Sequence, residues 1–378
     1  LEFARPVEPF NFINMRNLLF LFAATAILSG CKKDDAIIID IPDDYYKNGV
    51  YVMIDPRMEL LSVVQHFTSW ADEHHTNLDF SYPDDVEDYF SSFSNHSAVA
   101  KCQELLNKGF TYDAPVNFML FHDYPPGLAL LSPYSDYLKG RASGEGNLND
   151  FAECLRDFSV SADFMSFYED HKTFYDKVLT LVFNSLGENN YIELLEDYYG
   201  ETKYRYIIVP TPLFDGGAYG PRVDLPEGQY VYNIPGPTGL KNGIPTFGSE
   251  SDFKHVLLHE FSHSFVNPLT EENIDDVNKS AKLFEPIEQQ MRDQAYSKWY
   301  VCVNEHLVRI NVIRMRINSE GEGIKENLID YEESLGFIYI TQLDTLMQRY
   351  ESSRTEYPRY EDFYPEIIKL FNTLALLP

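Results

Sequence analysis

One stretch, residues 252–266, constrains this chain more than any other: Asp-Phe-Lys-His-Val-Leu-Leu-His-Glu-Phe-Ser-His-Ser-Phe-Val. Apolar side chains at Phe253, Val256, Leu257, Phe261 and Phe265 recur at helical spacing, so a helix is expected there. Ser251 or Asp252 is placed to cap its start, and Asn267-Pro268 to end it. Residues four apart share a helix face, which lets His259 and His263 reach one metal ion. Glu260 sits about 100° round the axis, where a carboxylate can take a proton from water without being a ligand. His255 extends the same face one turn back and is expected at the rim. The plainer reading of the same letters is a helix with two surface or capping histidines.

A catalytic zinc needs a third protein ligand beside a water. Residues 264–269, Ser-Phe-Val-Asn-Pro-Leu, supply no further histidine, so a glutamate on a later helix is the remaining arrangement. Most downstream acids stand in polar surroundings. Glu305 does not: residues 299–313 are apolar nearly all round, as expected of a buried helix. Its own face carries Val301, Cys302, Val308, Arg309 and Val312. A carboxylate there costs several kcal/mol unless a charge or a metal compensates it. Two partners are open to it: the zinc site of His259 and His263, or Arg309 in a buried ion pair.

The chain's beginning is of a different kind. From Met15 there is one positive charge (Arg16), an apolar run over 18–28, then Leu28-Ser29-Gly30-Cys31. These are the parts of a secretory signal, and the run is short for a membrane span. Its ending resembles the bacterial lipobox, which implies lipidation at Cys31. Residues 1–14 precede the plausible start and read as non-native. Lys32-Lys33-Asp34-Asp35 resembles the surface-export signal of Bacteroidota lipoproteins, so an outer-membrane, surface-exposed location is expected. Residues 31–48 read as an acidic tether.

A net charge of −29 argues against a nucleic-acid partner, whose phosphates need basic residues. It also argues against an anionic membrane surface, leaving contact with the membrane to Cys31 alone. Cys102, Cys154 and Cys302 allow one disulfide at most and form no CxxC pair.

Helical spacing recurs over residues 57–70, 86–93, 96–108, 148–158 and 164–185. Near Gly200 the character changes. Residues 204–209, Tyr-Arg-Tyr-Ile-Ile-Val before Pro210, read as a strand; 216–221 and 229–234 are shorter candidates. Helix returns at 252 and dominates to the end. This order predicts an α+β fold, with a largely helical N-terminal subdomain over 49–200 and a catalytic region with a small sheet over 201–378.

The set His259, His263 and Glu305 resembles the gluzincin arrangement of zinc metallopeptidases, which implies a zincin-like catalytic region. Three segments look like an uncharacterised lipoprotein family of gut Bacteroidota, catalogued as a domain of unknown function. They are Ile54-Asp55-Pro56-Arg57-Met58-Glu59-Leu60-Leu61-Ser62, Gly217-Ala218-Tyr219-Gly220-Pro221 and His259-Glu260-Phe261-Ser262-His263-Ser264-Phe265-Val266-Asn267-Pro268. In gluzincins a strand ahead of the active helix lies beside the substrate, and 229–234 or 216–221 is similar in position. The expectation is a zinc peptidase acting on peptide or protein, with Glu260 as general base and no obligate protein partner. Tyr339 is the candidate oxyanion donor. The rivals are a surface lipoprotein that binds glycan or peptide without catalysis, and a zinc hydrolase of a non-peptide substrate.

Overall fold

β-branched and aromatic residues set the sheet. In the computed structural model, which describes residues 43–377, Arg205–Ile208 forms β3 and Gly228–Pro235 forms β6, paired in parallel. The segment Val50–Val52 (β2) pairs in parallel with the other side of β3, and Tyr46–Lys47 (β1) closes that edge antiparallel. Ala218–Tyr219 (β4) and Arg222–Leu225 (β5) pair antiparallel with successive parts of β6. A separate hairpin, Gly239–Lys241 (β7) with Ile244–Thr246 (β8), follows. β6 is buried from Tyr230 to Pro235, as a strand covered on both faces should be.

The fold is α+β, with helices before and after the strands. The leader, Cys31 and the first part of the tether lie outside the described residues. The rest of the expected tether is structured: a 3₁₀ turn over Asp43–Tyr45 leads directly into β1. The sheet also crosses the expected boundary at residue 200. β1 and β2 come from the N-terminal region and join strands from beyond it, and the described residues fall in one unit.

Two long helices carry the site. The first, Glu250–Glu272, contains the histidine motif, and the second, Trp299–Glu320, contains Glu305. They pack on each other, and the first also lies against β6. Phe261 meets Tyr206 of β3 edge-on at 5.2 Å, while Phe265 stacks on Tyr199 at 4.4 Å. Burying this face turns the motif histidines toward the second helix. The first helix begins at Glu250, so Ser251 and Asp252 lie inside it and do not precede it.

The expected stop at Asn267-Pro268 is also corrected: the helix runs on to Glu272 with Pro268 inside it. Proline removes one backbone donor, but the turn beyond is held by tertiary contact. Thr270 is fully buried and its hydroxyl lies 2.6 Å from that of Tyr364. The expected helix over 164–185 is two helices, Phe164–Asp170 and Lys172–Ser185, meeting at His171. The one over 57–70 spans Pro56–His66.

Candidate metal centre

His259 and His263 stand one turn apart on the motif helix, and their Nε2 atoms are 3.3 Å from each other. Glu305 closes a triangle from the second helix. Its Oε2 is 3.6 Å from His259 Nε2 and its Oε1 is 3.5 Å from His263 Nε2. The three residues form the one group among the described residues that could hold a metal ion. For metal–ligand bonds of about 2.0–2.1 Å, tetrahedral geometry puts ligand atoms about 3.3–3.4 Å apart. The histidine–histidine spacing matches that edge length, and the two Glu305 contacts, which end on different carboxylate oxygens, lie just above it; two imidazoles and a carboxylate at this spacing are a set that fits zinc.

Charge and hydrogen bonding support the fit. Burial, then His263 and Arg309 nearby, hold His259 well below the usual histidine range, so its imidazole is neutral and can offer a lone pair. His263 Nδ1 donates to Asn267 Oδ1 at 3.1 Å, so Nε2 is the ring nitrogen turned toward Glu305. His259 Nδ1 is buried without such a partner. Glu305 is buried too, and its Oε2 has no hydrogen-bond partner. A buried carboxylate oxygen left so is costly unless a cation completes its surroundings.

Arg309 does not take Glu305 away from the histidines. Its Nε is 3.5 Å from Glu305 Oε2, while its Nη1 pairs with Glu332 Oε2 at 2.8 Å. Burial works against the guanidinium's charge, but Glu305 and Glu332 outweigh it and raise its pKa. Its planar group also lies over the Phe337 ring, 4.1 Å from the centroid. Arg309 thus steadies the carboxylate from behind. Glu305 lies within ion-pair distance of both motif histidines and of Arg309.

Glu260 faces a different neighbour. A Cβ on Gly220 would come within 2.5 Å of the Glu260 carbonyl oxygen and 2.8 Å of its Oε2. Only glycine permits this approach. Gly220 follows β4, the edge strand of the sheet, so of the two candidate substrate-side strands the one at 216–221 lies against Glu260. The surrounding chain desolvates the carboxyl and pushes it up to about 7; His263 works against this and Glu305 with it. A carboxylate near 7 is matched to general-base work at neutral pH.

Tyr339 is a correction. It is buried, and its hydroxyl donates to the Leu283 carbonyl at 2.7 Å, among the rings of His306, Trp299 and Phe371. The structure assigns it to the core and does not bring it to the triad. His306 points the same way, with Nδ1 donating to the Cys302 carbonyl at 2.7 Å. His255 lies beside the site, its ring 6.2 Å from that of His259. Cys102, Cys154 and Cys302 are all free thiols.

The sequence reading gives Asn267, Gly220 and Glu332 no role at the site. Asn267 had a readable signal, its place four residues after His263, but it was assigned to helix termination. No curated protein and no solved structure matches the chain. Residues 50–370, which take in every strand of the sheet but β1, both long helices and the triad, match a family model, and the chain belongs to that family: Domain of unknown function (DUF4932).

Proposed function

We propose that this chain is a zinc-dependent metallopeptidase of zincin-like, gluzincin type, with His259, His263 and Glu305 as ligands and Glu260 as general base. The observation that carries the reading is the convergence of His259, His263 and Glu305, with the two Nε2 atoms 3.3 Å apart and one Glu305 oxygen within 3.6 Å of each, while Glu260 stands outside the set. A zinc ion there supplies a Lewis acid that lets water act as a nucleophile near neutral pH. Glu260 accepts a proton from the attacking water and returns it to the leaving nitrogen. Arg309 and Asn267 hold Glu305 and His263 in place, and the edge strand with Gly220 offers backbone groups beside the base. A carboxylate placed outside the donor set is what favours a hydrolase over a purely structural or binding site. The leader read from the sequence would put this activity on the outer membrane, tethered through Cys31.

Metal analysis tests the site. Purified protein dialysed against trace zinc should retain about one zinc per chain, and His263→Ala should lose it. A wild-type protein that takes up no zinc after loading contradicts the reading.

A further inference from the structure

A second cluster of side chains adjoins the edge strand. Trp70 and His74 stack at 3.6 Å, and the Tyr112 ring meets both edge-on, at 5.3 Å and 5.4 Å. Tyr112 is 44% exposed and its backbone sits at φ +57°, a left-handed conformation that a bulky residue seldom adopts. The segment leading into β4 is fastened to this cluster. The Asp215 amide donates to the His74 carbonyl at 3.1 Å, and Asp215 Oδ2 is 3.6 Å from His74 Nδ1. From Asp215 the chain passes through Tyr219 to Gly220, which touches Glu260. Aromatic platform, carboxylate and general base are thus joined by one short stretch of chain, residues 215–220.

The local charge is acidic. Asp215 keeps 39% of its side chain exposed. Asp72 and Glu73 are exposed on the short helix Ala71–His74, next to the stacked rings. Asp113 is already engaged by Tyr137 and Arg141. Tyr219, between Asp215 and Gly220 in the chain, meets the Phe214 ring edge-on at 6.0 Å, and burial, then Asp215, Asp113, Tyr112 and Glu260, raise its hydroxyl. Aromatic faces beside carboxylates attract organic cations, and the chain's net charge of −29 favours a cationic partner at longer range.

From this juxtaposition we infer that Trp70, Tyr112 and Asp215 form a substrate subsite for a basic side chain, arginine or lysine, of the peptide that Glu260 acts on. The cation lies against the rings with Asp215 as its counter-ion. The inference rests on the peptidase reading for its substrate, but binding can be measured without cleavage.

The experiment uses one neutral peptide frame in which arginine, glutamate or norleucine is scanned through each position. Binding to zinc-loaded Glu260→Gln protein is followed by tryptophan fluorescence, and cleavage by the zinc-loaded wild type is measured in parallel. The expected result is about a tenfold preference for arginine over glutamate at one position, set by cation–aromatic and ionic contacts. That preference should shrink to about twofold or less in Tyr112→Ala and in Asp215→Asn, as a KM effect with kcat little changed. Equal binding of the arginine and glutamate series by the parent protein overturns the subsite, even if cleavage is robust. A preference that survives both substitutions overturns it as well. Selective binding that both substitutions remove, with no peptide cleaved, supports the subsite and counts against the peptidase reading instead.

Discussion

At the scale of single residues, the proposed zinc site depends on how each of its proposed ligands is held. Asn267 fixes His263 through Nδ1, while His259 lacks an equivalent partner, so the two ligands are unequally supported. Removing the support of a metal ligand typically weakens binding by about 10- to 100-fold. Asn267→Ala should therefore lower zinc affinity by that order in competition with a chelator, with far-UV circular dichroism unchanged. An affinity within about twofold of wild type would contradict the role given to Asn267. The two histidines were legible because a four-residue interval on an apolar helix has few other readings. Glu305 was legible as a lone carboxylate in an apolar run. Tyr339 was not, because what decides its role is a carbonyl at Leu283, on an element that local sequence does not connect to it. A buried tyrosine carries the same letter whether its hydroxyl faces a site or a core.

At the scale of elements, the geometry turns on the contact between the edge strand and the motif helix. A methyl group on Gly220 would meet backbone as well as side chain of Glu260, so one of the two elements must move. Small misplacements of reacting groups cost about two orders of magnitude in rate. Gly220→Ala should thus lower kcat/KM by at least about tenfold while zinc content stays near that of wild type, because the three ligands lie on helices. Full activity in Gly220→Ala would show that the strand has no part in placing the base. The helix that carries the motif was legible in kind but not in extent. Its continuation past Pro268 depends on the Thr270–Tyr364 contact, which joins residues 94 apart in the chain. The strand pattern at 204–209 was readable from branching and the closing proline. β2 was not: three residues, Val-Tyr-Val, acquire meaning only through a parallel partner beyond residue 200.

Across the whole molecule, the N-terminal region is built into the sheet, and its own core carries an ionisable group. Glu59 is fully buried beside the hydroxyls of Tyr82 and Tyr175, with Oε1 lacking a hydrogen-bond partner. Burial raises it from 4.5 to about 7, against the lowering effect of the two tyrosines. The folded state thus holds this proton more tightly than the unfolded chain. Its contribution to stability is complete below about pH 4.5 and is lost as pH rises through about 7. The loss amounts to about 3 kcal/mol for a shift of this order. In Glu59→Gln that part of the pH dependence should vanish, so the variant gains on wild type between pH 5 and pH 8, on the order of a few kcal/mol. Urea denaturation of both proteins at the two pH values measures it; parallel behaviour would contradict the assignment. The α+β class followed from the order of helical and strand-like segments. The shared sheet did not, because pairing between regions so distant in sequence leaves no local pattern.

The central claim is that Glu260 works as a base on water at a zinc held by three other residues, and one comparison tests it most directly. Wild type and Glu260→Gln are loaded to the same measured zinc occupancy and assayed on one mixed peptide library at neutral pH. An amide cannot take the proton, and loss of a general base costs about 10²–10⁴-fold. The account predicts that Glu260→Gln binds zinc as wild type does and cleaves at least about a hundredfold more slowly. Equal cleavage by the two proteins at matched zinc occupancy would contradict it.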